Sequence, residues 1–222
     1  MAPPCDTVSV GTLTRVTYGD HVTTAFGMSP GLDGHAAGLG TMSDGMFEKY
    51  ISLIRHQRSL AAIRAEVAIC EVAVESTIRR CWNDAKSADG GKPGAITKEL
   101  FPDGVSPEIG AKGTGQGAQT TSLIERLGRA TLSGAKAVAA TWTAPLTEAH
   151  GKLADTLGRR TTAEKAEAAL YADLDAAGRE HRREVDRLMG VARTTFPQEP
   201  DRQNALFPRP VRRKKKAGGE TI

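Results

Sequence analysis

Large apolar residues are scarce in this chain. Leucine, isoleucine, valine and phenylalanine together supply 42 of its 222 residues, close to the lower limit for a packed core. Aromatic residues amount to 5%. Alanine, with 32 residues, and glycine, with 24, fill the gap. Alanine lets helices approach closely but removes little surface from water. A thick globular core and a large β-sandwich are therefore not expected. Cysteine is also rare: Cys5, Cys70 and Cys81 form no paired spacing, which argues against a secreted disulfide framework. On a shared helix Cys70 and Cys81 would stand ~16 Å apart along the axis, too far for a bridge. No apolar run approaches the ~20 residues of a membrane span. The opening Met1-Ala2-Pro3-Pro4-Cys5 lacks the basic and apolar regions of a signal peptide. The expected compartment is a reducing cytoplasm.

Chemistry-bearing patterns are equally thin. The five histidines, His21, His35, His56, His150 and His181, fall in no two-ligand spacing, and no Cys-x-x-Cys or Glu-x-x-His occurs. His56 and His181 have arginine neighbours, which suits solvated helix faces better than metal ligation. The series Gly110, Gly113, Gly115 and Gly117 precedes a helix, as a phosphate cradle would. It lacks the Gly-Lys-Ser/Thr order of a P-loop, and no strand leads into it, so it reads as a linker. Cys70 and Cys81 fall on an apolar stripe, where a thiol behaves as a small hydrophobe. Glu71 and Glu75 are one turn apart on a helix and read as wet side chains; general acid–base work would need a cleft. These features nominate no catalytic residue, no metal ligand and no cofactor.

What the chain does contain is helical periodicity. From Ser43-Asp44, either of which can cap a helix, Leu53, Leu60, Ile63, Val67, Cys70, Val74, Ile78 and Cys81 recur at spacings of three, four or seven. Glu75 and Arg79 form a favourable i, i+4 pair. The pattern stops near Ser87, before Asp89-Gly90-Gly91 and Pro93. Such a helix is a rod of ~66 Å whose stripe needs an equally long neighbour. Periodicity resumes near Gln119 behind a Ser122/Glu125 capping box, with Leu123, Leu127, Ala130, Ala135, Val138 and Trp142. Pro145 should end or kink that helix. A further stripe with Leu170, Leu174, Val185 and Leu188 runs to Pro197, and the favoured reading makes 146–196 one helix rather than two joined near 160.

Three segments lack that period. In residues 1–42 the alternation Val8, Val10, Thr12, Thr14, Val16, Tyr18 reads as an extended strand. The segment is expected to be either a disordered arm or an extended arm lying on a neighbouring subunit. Residues 88–117, rich in glycine and proline, read as a loop from which Ile96, Leu100, Phe101, Val105 and Ile109 pack back on the helices. Residues 197–222 read as an irregular tail held only by Leu206 and Phe207. The formal net charge is +4. Residues 209–222 carry six basic side chains against Glu220 alone, so the rest of the chain is near neutral. Arg209, Arg212, Arg213, Lys214, Lys215 and Lys216 would attract polyanions through sequence-independent, salt-sensitive contacts.

The expectation is an all-α protein, an elongated helical hairpin or bundle with long coiled-coil-like helices, its bundle over 43–196 and irregular terminal arms. The expected function is non-enzymatic and structural: a scaffold that forms homo-oligomers or larger assemblies through its helices. The packing or oligomer face would comprise Leu53, Leu60, Ile63, Val67, Cys70, Val74, Ile78, Leu170, Leu174, Val185 and Leu188. The alternative is a nucleic-acid-associated accessory protein gripping phosphates through the six basic residues of the tail.

Overall fold

The computed structural model describes residues 6–207, with side chains from residue 11 onward. The fold is all-α, and no strand occurs among the described residues. In chain order the helices are α1 (Asp6–Gly27), α2 (Ala37–Ala88), α3 (Ala95–Leu100), α4 (Ser106–Gly110), α5 (Thr114–Gly128), α6 (Ser133–Thr195) and α7 (Pro200–Leu206). The two long helices, α2 with 52 residues and α6 with 63, contribute to both of two compact units. One unit comprises the described residues of Met1–Ile54 and Ala168–Ile222; the other is Arg55–Glu167.

The first unit contains a correction to the sequence reading. The strand expected around Val8–Tyr18 is helix α1. Its buried positions, Thr12, Gly19, Val22 and Phe26, step by seven, three and four and lie on one helical face. Two of the four are a threonine and a glycine, so hydropathy alone registers the Val/Thr alternation instead. Gly31 and Gly34, both at positive φ (82° and 83°), turn the chain into α2, which starts at Ala37 rather than Ser43. Val22, Phe26, Leu32, Ala36 and Leu39 pack with Val185, Leu188, Ala192, Phe196 and Leu206. A second cluster joins Met46, Leu53 and Leu174, flanked by Val16, Tyr50 and Leu170. The expected irregular tail includes a short helix: Pro200 occupies the first turn of α7, where its fixed φ and missing N–H cost nothing. That helix returns Leu206 to the core and sets Phe207 edge-on to Phe26 at 5.8 Å.

In the second unit the glycine- and proline-rich stretch 88–117 is not an open loop. Asp89 follows the last residue of α2, and its carboxylate accepts hydrogen bonds from the backbone N–H groups of Gly94, Ile96 and Thr97 and from the Thr97 hydroxyl. That carboxylate satisfies the orphan donors of α3 and lets six residues hold a helix. Leu100 and Phe101 are buried, and Trp82 meets Phe101 edge to face at 5.2 Å. Ile96, Val105 and Ile109 pack against the same core, which gathers Val67, Val74, Ile78 and Cys81 with Leu123, Leu127, Val138, Leu146 and Leu153.

The expected helix 119–144 is divided elsewhere. α5 ends at Gly128, and residues 129–132 separate it from the start of α6. The Glu99 carboxylate accepts bonds from Thr131 N (2.5 Å), Thr131 Oγ1 (2.6 Å) and Leu132 N (3.3 Å), serving the start of α6 from a distant part of the chain. α6 then continues through Pro145. Leu146 and Leu153 on one side of the proline and Val138 on the other are buried in the same core, which offsets the lost backbone hydrogen bond.

Candidate association face

The residues that the sequence marks as a sticky stripe are placed inside the chain's own cores. Leu60, Val67, Val74 and Ile78 are buried in the second unit, and Ile63 and Cys70 are half-buried there. In the first unit Leu53, Leu174, Val185 and Leu188 are buried and Leu170 is half-buried. Their apolar surface is consumed by intramolecular packing, so an oligomer face has to be sought elsewhere. The basic residues Arg209, Arg212, Arg213, Lys214, Lys215 and Lys216 lie outside the described residues.

The opposite face of α2 in the second unit is where apolar side chains meet solvent. Ile69 is 70% exposed and Val72 64% exposed. Successive residues of a helix turn by about 100°, so every position from Ala61 to Ser76 within about 60° of the Ala65 direction can be identified. These are Ala61, Ala62, Ala65, Ala68, Ile69, Val72 and Ser76, and none carries a charge. A wet helix face ordinarily carries Glu, Lys and Arg. Scattered exposed hydrophobes are common in soluble proteins, whereas a charge-free stripe of ~22 Å is not. Sequence periodicity misses it because alanine occurs on both faces of α2.

The borders of this stripe are charged and tied down. Arg64 pairs with Glu164 (3.5 Å) and Arg159 with Glu66 (2.7 Å), linking α2 to α6. Glu71 accepts a bond from Gly113 N (2.6 Å), and Glu75 pairs with Lys112. The carboxylate pair that reads as merely wet in the sequence therefore anchors the lead-in to α5, and the glycine series expected to be a linker is largely helical: Gly110 ends α4, Gly113 precedes α5, and Gly115 and Gly117 lie within it. Beside Ile69 opens a groove of about 240 Å³ that also touches Glu66, Cys70, Lys152, Asp155 and Thr156.

The titratable groups away from this face serve structure. Burial, reinforced by Asp84, pushes the Cys81 thiol up to about 12, which makes it a poor nucleophile. Burial likewise pushes the Glu108 carboxyl up, against the opposing pull of Arg126, with which it pairs across α4 and α5. His181 departs from its expected place on a solvated face: it is 3% exposed. Burial and the nearby Arg15 lower its pKa, with Asp20 opposing them. No group of three or more His, Cys, Asp or Glu arranged to hold a metal ion occurs among the described residues. No described helix is long and apolar enough to cross a membrane.

No protein-family model matches the chain, and no curated protein or solved structure is significantly similar to it.

Proposed function

We propose that this protein is a non-enzymatic structural or scaffolding component that self-associates, and that the outer stripe of α2 is its contact face. The observation that carries this reading is the exposure of Ile69 and Val72 on a surface otherwise lined by alanine. The occupant we assign is the same stripe of a second copy, running antiparallel. Its bulky residues, Ile69 and Val72, lie toward one end, while Ala61, Ala62 and Ala65 lie toward the other. Antiparallel pairing sets large side chains over small ones twice, the self-complementarity that a two-fold contact requires. Centred at the level of Val67, it brings Arg64 to within one residue's rise of Glu71 of the second copy, on the same flank, at both ends of the contact. Glu71 uses one oxygen within its own chain and retains lone pairs for such a contact. The free thiols Cys70 and Cys81 suit a reducing compartment.

Light scattering coupled to size exclusion tests the proposal. The wild-type chain is expected to give a mass above the monomer that rises with concentration. Val72→Glu and Ala65→Glu should each return it to monomer without loss of helicity, because both positions are exposed. A wild-type chain that stays monomeric at high concentration overturns the proposal, as does an assembly that neither substitution affects.

A further inference from the structure

Within the first unit, α1 and α6 enclose a pocket of about 430 Å³. Its lining is Thr14, Arg15 and Tyr18 from α1 with His181, Arg182 and Val185 from α6. Each helix contributes positions i, i+1 and i+4, so each presents one arginine and one ring or branched side chain to the same space. Neither Arg15 nor Arg182 has an ion pair or hydrogen bond among the described residues. By contrast, Arg126 pairs with Glu108 where α5 meets α4. The Arg15 guanidinium lies across Gly178 of α6, where a Cβ would collide with Nη1, so it is held by backbone packing and not by a carboxylate.

Arg15 and Arg182 both line this half-open space and have no ion pair among the described residues; like charges so placed repel one another, and an anion between them removes that cost. Asp186 and Asp20 stand close enough to bear on the Tyr18 phenol and on His181, but neither forms an ion pair with Arg15 or Arg182. The space exceeds what an inorganic phosphate fills, and the rest of its lining comes from Thr14, Tyr18, Val185 and the nearly buried His181. Those walls suit an apolar or planar body attached to the anion. We propose that this pocket binds a small phosphate monoester bearing a ring, its phosphate gripped by Arg15 and Arg182 and its ring laid between Tyr18 and Val185. The planar fork of arginine matches phosphate oxygens in pairs. The site is independent of the association face, which lies on the other unit.

Calorimetric titration of the full chain with phenyl phosphate tests the assignment. Saturable binding is expected, with inorganic phosphate weaker and phenol not binding. Removing one guanidinium should cost roughly one charge-assisted hydrogen-bonded contact, so Arg182→Gln should weaken binding about tenfold or more. Arg182 is exposed, so this variant is expected to keep the wild-type thermal midpoint; Arg15→Gln adds a second reading if it does too. Arg129→Gln, an exposed position in the second unit, should bind like wild type. Absence of saturable binding overturns the proposal. So does binding that Arg182→Gln leaves unchanged, which would place the anion elsewhere, for example on the basic run at 209–216. Binding to phosphatidic acid vesicles without binding to phenyl phosphate would assign the phosphate to a membrane surface and overturn the small-ligand reading.

Discussion

The Ser43 hydroxyl of α2 lies 3.3 Å from Nε2 of His181 of α6, and both residues are buried. Gly19 of α1 covers the pair, so three helices of the first unit converge on one polar contact. A buried imidazole with a hydroxyl partner is stable while neutral and costly when charged.

Acid should therefore weaken the first unit. Burial and Arg15 hold the folded-state pKa of His181 below its ordinary 6.5. The unfolded chain then takes up the proton first as pH falls. The stability is fully present above the unfolded-state pKa and is lost as pH drops through about 6.5 toward the folded value. Asp20 opposes the shift without reversing it, and Glu108, whose carboxyl burial pushes up, lies in the other unit and acts with the opposite sign. Denaturant midpoints measured from about pH 8 to about pH 5 should decline, and His181→Gln should flatten the decline relative to wild type. An unchanged slope in that variant would assign the effect to the other four histidines.

Gly19 should not tolerate a methyl group. A Cβ there would meet Ser43 Oγ and His181 Nε2 well inside 3.0 Å. Glycine to alanine in a helix interior ordinarily stabilises by up to ~1 kcal/mol. Here the forced displacement of a buried polar pair should reverse the sign, with a net loss of about 1–3 kcal/mol. At Gly45 of α2 a methyl group would find nothing within 4 Å, so Gly45→Ala should show the ordinary gain. Chemical denaturation of both variants checks the contrast, and an equal gain at both sites would refute it.

The parts of the fold that sequence makes visible are those built from large apolar residues. Leu60, Val67, Val74 and Ile78 mark the inner face of α2 because their spacing and their size agree. α1 escapes notice because Thr12 and Gly19 occupy half of its buried positions, and close approach rather than hydrophobicity selects them. His181 looks solvated beside Arg182 and Arg183, yet its burial is set by α1 and Ser43, far away in the chain. The boundary between α5 and α6 is equally illegible: Glu99, which serves the start of α6, is more than thirty residues upstream. The association face is hidden for the opposite reason. Alanine lines both sides of α2, so only the packing of α6 and α5 reveals which side is left open.

The two described thiols should differ sharply in reactivity. Cys81 is fully buried and its thiol is pushed up to about 12 by burial and then by Asp84. Cys70 is half-buried, with its Sγ 3.8 Å from Thr156 Oγ1 at the edge of the groove beside Ile69. In a Cys5→Ser background, iodoacetamide at neutral pH should modify Cys70 in the native protein and leave Cys81 untouched until denaturant is added. Peptide mass mapping reads the order directly. Equal native rates would mean that the core around Ile78 and Leu123 opens far more readily than its packing implies.

Pro145 stands inside α6 and leaves the Thr141 carbonyl without its i+4 backbone donor. The hydroxyls of Thr143 and Thr147 turn back to the carbonyls of Ala139 (2.7 Å) and Thr143 (2.7 Å), so threonine side chains crowd the same turn. The helix persists because Leu146, Leu153 and Val138 are buried with Leu123 and Leu127, which favours a continuous α6 over a broken one. Pro145→Ala should therefore stabilise the second unit, by up to ~3 kcal/mol if the helix straightens without disturbing these contacts. Trp142 provides the local check: its Nε1–H donates to Asp84 Oδ2 at 2.8 Å, so its fluorescence reports whether the register of α6 against α2 is retained. A raised denaturation midpoint with unchanged emission fits this account. A lowered midpoint would mean that Pro145 itself is what seats Trp142 and Leu146 in their places.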